Sequence, residues 1–272
     1  MERAEAFLPE AVVPREDGEE EEALGGEAVA EHGRPSEAKT VCELEARDQV
    51  VMPPPDFRLR YIARLANAKV WVPLKQRSPV HQTVLIFDWD DTLLCTSWLM
   101  QHSSLLSDEK TQALMASIER CALKMLSKAL SMGHTYIITN AASGWVEHSA
   151  AKWAPGLLPW LQKVQVISAR SHYEEAYPDD ATRWKIEAFL GLQRKLPATK
   201  VTNLIAFGDS EFEMTAARVM REQYEHALLK TVKFLANPSP VVLLKQMEVV
   251  AEHLGKIIST TKNAKIALNR KL

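Results

Sequence analysis

The sequence predicts an α/β protein: a doubly wound, mostly parallel five-stranded sheet with helices on both faces. From His81 onward, short apolar runs alternate with stretches whose apolar residues recur at helical spacing. Such alternation is typical of successive strand and helix units around a parallel sheet. Several of the apolar runs also end in polar or acidic residues, as expected where the carboxyl ends of parallel strands form a ligand crevice.

The elements follow one another in a regular order. Five apolar runs predict strands, at residues 84–88, 135–139, 164–169, 203–208 and 231–236. Six helices are predicted in the intervals, at residues 107–132, 144–152, 157–162, 182–192, 211–220 and 240–258. The longest is the best marked, because Ser107 is a capping residue, Asp108 and Glu109 stand in the first turn, and Gly133 ends it.

Composition divides the chain into four segments. Residues 1–50 contain 15 acidic and 5 basic side chains, whereas the rest of the chain contains 20 acidic and 28 basic ones. Residues 1–55 predict an acidic disordered tail, because such a composition cannot bury enough apolar surface to offset its ordering entropy. Residues 56–80 predict a basic helical or linker segment, residues 81–260 the α/β domain, and residues 261–272 a basic C-terminal tail.

The composition is that of a soluble globular protein. Of the 272 residues, 46% are hydrophobic and 25% are charged. Three cysteines without zinc-site spacing support neither a disulfide framework nor a zinc site. The N-terminus lacks the pattern of a secretory signal, and no apolar run reaches the length of a membrane span. We therefore expect a cytoplasmic protein, with the nucleus as the alternative; nucleic-acid binding is not indicated.

The most informative feature is the acidic run that follows the first predicted strand. The apolar residues of this strand give way abruptly to Asp88, Asp90 and Asp91. Asp88 and Asp90, two residues apart on an extended backbone, project to the same side. Close carboxylates repel one another unless a cation or proton neutralises them, and Mg²⁺ accepts oxygen ligands while keeping positions open for a phosphate. The alternative interpretation is that these acids only cap the next helix.

Three further polar signals stand where this fold would gather them. The second predicted strand ends in Thr139 and Asn140. Lys185 lies early in a predicted helix, where a cation opposes the helix dipole unless an anion is nearby. The fourth strand is followed by Asp209, and Glu213 comes shortly after it. Each signal alone has an ordinary explanation as a cap or an exposed side chain, but together and in this order they indicate phosphoryl chemistry.

With these residues the sequence resembles the haloacid dehalogenase-like superfamily of phosphohydrolases. The first motif of that superfamily, Asp-x-Asp-x-Thr, matches residues 88–92. Thr139 matches the second motif and Lys185 the third, and the fourth, Gly-Asp followed by another acid, matches residues 208–209 with Glu213. The resemblance covers most of the chain beyond the acidic tail and implies a Rossmann-like fold. Glu213 departs from the pattern, since Asp is more usual there.

The resemblance implies a role for each matched side chain. Asp88 would be the nucleophile that forms an aspartyl-phosphate, and Asp90 the general acid and then the general base. Substrate phosphate would be contacted by Thr139, Asn140 and Lys185, with Lys185 also balancing the charge of the transition state. The Mg²⁺ ligands would be Asp88, Asp90 through its backbone carbonyl, Asp209, and Glu213 acting through water.

The spacing of the motifs implies, by the same resemblance, a minimal cap domain or none. In this superfamily an open site often accompanies a bulky phosphorylated substrate, so a phosphoprotein is one candidate. Residues 96–100 form a short flap that would contact substrate or pack on its neighbours, and Arg170 and His172 stand at the predicted rim. The leading hypothesis is a Mg²⁺-dependent phosphatase acting on a phosphomonoester. The alternatives are a phosphotransferase using the same intermediate and a non-catalytic scaffold protein.

Overall fold

One mostly parallel sheet organises the protein. A computed structural model describes residues 42–46, 80–196 and 201–270. These residues contain seven strands: β1 (Cys42–Ala46), β2 (Thr83–Phe87), β3 (His134–Thr139), β4 (Gln165–Ser168), β5 (Asn203–Gly208), β6 (Leu228–Lys233) and β7 (Ala264–Arg270). The strand order is β1-β7-β6-β5-β2-β3-β4, and each pair is parallel except β1 with β7. The predicted α/β class is confirmed.

Helices connect the parallel strands. The α-helices within the described ranges are α1 (Thr96–Gln101), α2 (Glu109–Met132), α3 (Trp145–Trp153), α4 (Leu158–Leu161), α5 (Ala169–Tyr173), α6 (Ala181–Lys195), α7 (Glu211–Glu222) and α8 (Pro240–Ser259). Short 3₁₀ helices occupy Val80–Gln82, Ser103–Ser107 and Pro155–Leu157. None of the helices within these ranges has the length and apolarity needed to cross a membrane.

The sheet is covered on both faces, as its continuous apolar strands require. In β2, Leu85 and Phe87 belong to a core that α2, α3 and α8 complete, whereas Val84 and Ile86 belong to a second core completed by α6 and α7. This is the alternation expected of successive strand residues. Each such fully buried large apolar side chain stabilises the fold by about 1.5–3 kcal/mol. The two cores therefore cover both faces of β2, which is an interior strand of the sheet.

The strand count exceeds the predicted five. Residues 264–270 were predicted as part of a basic tail, but they form β7 beside β6. Ile266 and Leu268 are buried in this strand, and Lys265, Ala267 and Asn269 occupy the alternate positions. A basic composition concealed this alternation, which is the signal of a half-buried strand. The strand β1 lies within the predicted acidic tail, while the predicted segment 56–80 falls, apart from Val80, outside the described residues.

Two element boundaries also differ from prediction. The cap of α2 is Asp108 rather than Ser107, because the Asp108 carboxylate accepts the N–H of Thr111 at 3.0 Å while Ser107 belongs to the preceding 3₁₀ turn. The strand predicted at residues 231–236 lies three residues earlier, since Leu228 donates its N–H to Thr202 O at 2.9 Å and so begins the pairing of β6 with β5.

Lys230, a buried lysine of β6, contacts the first residue of β5 and lies away from the acidic motifs. Lys230 has 0% of its surface exposed, and its Nζ donates to Asn203 Oδ1 at 2.7 Å and to Ile258 O at 2.8 Å. Both acceptors are neutral, so no carboxylate among its hydrogen-bond partners offsets the cost of burying a charge. Burial lowers the pKa of Lys230 to about 7.

We expect this lysine to make stability depend on pH. Its pKa is about 7 in the folded protein against an ordinary 10.5, so the unfolded chain binds more protons above pH 7. The free energy of unfolding should therefore rise by about 1.4 kcal/mol per pH unit from about pH 7 to 9 because of Lys230. Urea unfolding of wild type and Lys230→Met across this range measures the slope, with Lys233→Met as the control. Equal slopes in wild type and Lys230→Met would contradict a neutral buried amine.

Candidate functional site

Three neighbouring strands bring the predicted site residues together. The strand β2 lies between β5 and β3, so Asp88 after β2 sits between Thr139 at the end of β3 and Asp209 after β5. The Asp88 N–H donates to Phe207 O at 2.9 Å, which continues the pairing of β2 with β5. The rings of Phe87 and Phe207 stack with centroids 4.3 Å apart just below. The backbone that presents Asp88 is therefore held against β5 by this hydrogen bond and by the stacked rings.

Lys185 reaches this edge from α6 and is fully enclosed. Its Nζ donates to Asp88 Oδ1 at 2.7 Å and to Ile138 O at 2.8 Å, and it contacts Glu213 Oε1 at 2.9 Å. Burial alone would lower the pKa of Lys185, but the charges of Asp88 and Glu213 outweigh it and raise the pKa above its ordinary value. Lys185 is therefore a permanent ammonium, which explains why a cation stands in the early turns of this helix.

Three carboxylates converge at the same place. Oxygen atoms of Asp88, Asp209 and Glu213 all lie within 4.8 Å of one another. Burial, together with the charges of Glu213 and Asp90, raises the pKa of Asp88 well above its ordinary value. Burial, Glu213 and Asp91 raise the pKa of Asp209 to about 7. One ammonium cannot neutralise three carboxylates, so the cluster has an excess of negative charge that a proton or a cation would relieve.

Glu213 has a structural role besides its place in this cluster. It accepts from the Ser210 hydroxyl at 2.5 Å and the Ser210 N–H at 3.2 Å, forming the capping box that starts α7. Burial would raise the pKa of Glu213, but Lys185 and the Ser210 hydroxyl hold it below its ordinary value. A Cβ on Gly208 would lie 2.4 Å from Glu213 Cγ, so only glycine permits this approach. Both Glu213 oxygens thus already have protein donors.

Asp90 lies in different surroundings from Asp88. Its Oδ1 accepts the indole N–H of Trp145 at 2.8 Å, and its Oδ2 accepts the hydroxyl of Thr139 at 3.1 Å. Thr139 Oγ1 in turn accepts the N–H of Ala141 at 3.0 Å. The side chain of Asp90 is not among the three converging carboxylates, and a metal contact through its backbone carbonyl stays a prediction.

The alternative interpretation of the acidic run, helix capping, applies to Asp91 alone. Its Oδ1 accepts the N–H of Ser97 in the first turn of α1 at 3.1 Å. Asp91 has a φ of 55°, in the left-handed region, and its N–H donates to Leu94 O at 2.8 Å, which closes the turn. Asparagine and aspartate tolerate this conformation better than most residues. The turn directs Asp91 toward α1 and leaves Asp88 and Asp90 for other partners.

The predicted rim and flap residues are mostly engaged with the protein itself. Asn140 donates Nδ2 to Ala181 O at 3.1 Å, which ties α6 to β3, while its buried Oδ1 has no partner. Arg170 pairs with Glu174 at 2.8 Å, and His172 Nδ1 lies 2.7 Å from a backbone carbonyl. In the flap, Met100 is 45% exposed. The sequence predicted a phosphate contact for Asn140 and a position at the rim for Arg170, but not these bonds within the protein. Substrate contact by either residue stays a prediction.

A cavity of about 210 Å³ opens beside Thr139. Its wall is mainly polar, and it is lined by Thr139, Ala142, Ser143, Gly144, Val146, Glu147, Val166 and Ser168. These residues belong to β3, the loop after it, α3 and β4, so the cavity lies on the β4 side of the converging strand ends.

Two side chains of the site were missed by sequence reasoning. Trp145 is separated from Asp90 by 55 positions, and nothing in the local pattern predicts that an indole at a helix start binds a distant carboxylate. The role of Ser210 could have been predicted, because serine followed three residues later by glutamate at the start of a helix is the sequence signal of a capping box. That signal shows why a glutamate can stand where the resemblance favours aspartate.

Comparisons with known proteins do not identify the chain. Neither a scan against models of protein families nor a search of curated protein sequences found a match. The resemblance to the haloacid dehalogenase-like superfamily therefore stays a prediction that rests on the motif residues and on the way the fold brings them together.

Proposed function

We propose that the protein is a metal-dependent phosphatase of the haloacid dehalogenase-like superfamily, hydrolysing a phosphomonoester through Asp88. The observation that supports this most is the contrast between two carboxylates. Asp88 is buried against Lys185 in a strongly acidic cluster, whereas Asp90, two residues on, is half-buried and bonded to Thr139 and Trp145. Carboxyl groups placed in contrasting surroundings suit different chemical roles.

In the first step Asp88 attacks phosphorus. Its Oδ1 accepts from Lys185, so Oδ2 is the attacking oxygen. The new bond joins Asp88 to phosphorus as the bond from phosphorus to the leaving oxygen breaks, and Asp90 gives its proton to that oxygen. Lys185, fixed by three oxygen partners, stabilises the negative charge that shifts toward the nucleophile and the phosphoryl group. The product of this step is a free alcohol and an aspartyl-phosphate.

In the second step water completes the hydrolysis. Asp90, now a carboxylate, takes a proton from a water molecule whose oxygen attacks phosphorus. The bond between Asp88 and phosphorus breaks, inorganic phosphate leaves, and Asp88 returns to its carboxylate form. Thr139, at the adjacent strand end, would donate its hydroxyl hydrogen to a phosphoryl oxygen in place of the hydrogen bond that it makes to Asp90 Oδ2. The proton that Asp90 takes from water replaces the one that it gave to the leaving oxygen.

A divalent cation fits the residues present. Asp88 and Asp209 offer hard carboxylate oxygens, and burial together with the neighbouring carboxylates raises the pKa of both groups, so a cation between them would be stabilised. Glu213, whose oxygens are bonded to Lys185 and Ser210, would contribute mainly charge or a water-mediated contact. When bound, Mg²⁺ would supply neutralisation of the phosphate and orient it toward Asp88.

The test is hydrolysis of an aryl phosphate by the purified full chain, with Mg²⁺ and with a chelator in its place. We expect turnover only with the metal, because the acidic cluster repels a phosphate dianion otherwise. Release of inorganic phosphate identifies a phosphatase, whereas transfer to an added alcohol without phosphate release identifies a phosphotransferase. Absence of turnover with every aryl phosphate and phosphopeptide tried would contradict the proposal and favour a scaffold protein.

The same assay has a pH dependence with a defined sign. Metal binding requires deprotonated ligands, and the pKa of Asp209 is about 7 in the metal-free protein. The Mg²⁺ concentration giving half-maximal rate should therefore fall as pH rises through 7. Asp209→Asn should lose the response to Mg²⁺, whereas Glu211→Gln, an exposed acid two residues along, should retain it. An unchanged Mg²⁺ response in Asp209→Asn would remove Asp209 from the metal site.

A further inference from the structure

Two indole hydrogen bonds fasten α3 to the turn that bears the nucleophile. Trp145, the first residue of α3, donates its Nε1–H to Asp90 Oδ1 at 2.8 Å. Trp89, which stands between Asp88 and Asp90, donates its Nε1–H in the opposite direction, to Ser149 Oγ of α3 at 2.9 Å. Ser149 and Trp89 are both fully buried, so this second bond is shielded from water. The position of α3 relative to Asp90 is therefore fixed.

The Trp145 ring is itself held by neighbours on its own helix. It meets the Trp153 ring edge-on, with centroids 6.2 Å apart and planes at 74°, and its ring centroid lies 6.2 Å from that of His148. Gly144 precedes it with a φ of 84°, a left-handed conformation that lets the chain turn into the helix at this residue. The indole therefore has little freedom to follow Asp90 if that carboxylate moves.

Thr139 has only one hydroxyl hydrogen, and it points to Asp90. Because Thr139 Oγ1 accepts from Ala141 N–H and donates to Asp90 Oδ2, it cannot also donate to a phosphoryl oxygen without releasing Asp90. A phosphate that accepts the hydrogen bond from Thr139 leaves Asp90 Oδ2 without its donor, while Oδ1 keeps the hydrogen bond from Trp145. Before the exchange both oxygens of Asp90 accept hydrogen bonds. After it, Oδ2 is free to interact with the reacting group.

We infer that Trp145 is a positioning residue, which holds Asp90 by one oxygen so that the other can exchange protons with the leaving group and with water. The inference rests on the proposed function, since Asp90 needs this orientation only if it transfers protons. The helix α3, which contains none of the motif residues, thereby takes part in the reaction. Trp145 acts through Asp90, to which its indole N–H donates at 2.8 Å.

The test is the dependence of kcat/KM on the leaving group in Trp145→Phe. A phenol of low pKa leaves as the phenolate without a proton, whereas a phenol of high pKa needs a proton from the general acid as it leaves. The loss in kcat/KM should be between about 10-fold and 100-fold for the most basic leaving group and within about threefold for the most acidic one. Trp153→Phe is the matched control, because Trp153 belongs to the same ring pair but its buried Nε1 has no hydrogen-bond partner. It should lower kcat/KM equally, if at all, for all leaving groups.

A separate measurement covers the case in which Trp145→Phe folds poorly. The indole N–H resonance of Trp145, in a proton–nitrogen correlation spectrum of the wild-type chain, should move when Asp90 is replaced in Asp90→Ala and stay in place in Asp91→Asn. An unmoved resonance in Asp90→Ala, or an equal loss for every leaving group in Trp145→Phe, would overturn the inference while leaving the phosphatase proposal intact. A wild-type chain that hydrolyses none of these esters overturns the proposed function itself.

Discussion

Replacing the proposed nucleophile should abolish turnover without weakening the fold. In Asp88→Asn we expect the hydrolysis rate to fall by about 10⁴-fold or more, because the attacking carboxylate is lost. Stability should stay equal or rise. Because the pKa of Asp88 is raised, the ionised carboxylate destabilises the folded protein at pH values above the ordinary pKa of 3.8. An uncharged amide removes this cost. The measurements are kcat on an aryl phosphate and the urea midpoint near neutral pH.

Asp91→Asn is the matched control for this substitution. Asp91 stands in the same turn and also has a pKa raised by burial, but its carboxylate serves the N–H of Ser97. Asparagine preserves both that bond and the left-handed φ, so turnover of the same order as wild type is expected. Comparable activity in Asp88→Asn and wild type would exclude Asp88 as the nucleophile. A large fall in stability in Asp88→Asn would contradict the electrostatic account of the cluster.

The second large effect is expected at Lys185, and it should appear in stability as well as activity. Lys185→Met leaves Asp88 and Glu213 buried without their ammonium, which should lower the free energy of unfolding by about 3–5 kcal/mol near neutral pH. Turnover should be lost with it, because the ammonium that contacts the nucleophile and stabilises the charge of the transition state is then gone. Urea unfolding and the aryl phosphate assay measure the two effects.

The deficit in Lys185→Met should shrink as pH falls. In the wild type, Lys185 keeps the pKa of Glu213 below its ordinary 4.5, so this contribution is present above that value and disappears as pH falls further. In the variant, the unpaired acids can bind protons and lose their charge. Arg183→Met on the same helix is the control, because its ion pair with Glu187 involves an arginine 47% exposed, and such pairs contribute about 0–1 kcal/mol. Similar losses in the two variants would contradict the special role of Lys185.

Much of the site followed from one rule of parallel sheets. Polar residues that end adjacent strands share an edge, so the chain positions of Asp88, Thr139 and Asp209 predicted their meeting without any knowledge of side-chain contacts. Lys185 was predictable for an electrostatic reason, since an early helical lysine has an unfavourable position unless an anion compensates it. The structure supplies two such anions, Asp88 and Glu213.

Other features depend on tertiary contacts that no local pattern encodes. The start of β6 is set by pairing with β5 through Leu228 and Thr202, so the apolar content of the segment misplaced it. The two bonds to Asp90 come from Thr139 and Trp145, which lie far along the chain. The pattern in β7 was present in the sequence, but its lysine and arginine suggested a tail. Long-range pairing, rather than composition, decides each of these cases.

The most direct test of the account is to trap the phosphorylated chain. The full-length protein is mixed with Mg²⁺ and an aryl phosphate carrying radioactive phosphorus, quenched in acid during turnover, and digested. We expect label on the peptide that contains Asp88, released by hydroxylamine as an acyl phosphate should be, and absent from Asp88→Asn. Metal-dependent hydrolysis without a labelled peptide, or with label on any residue other than Asp88, would contradict the proposed mechanism.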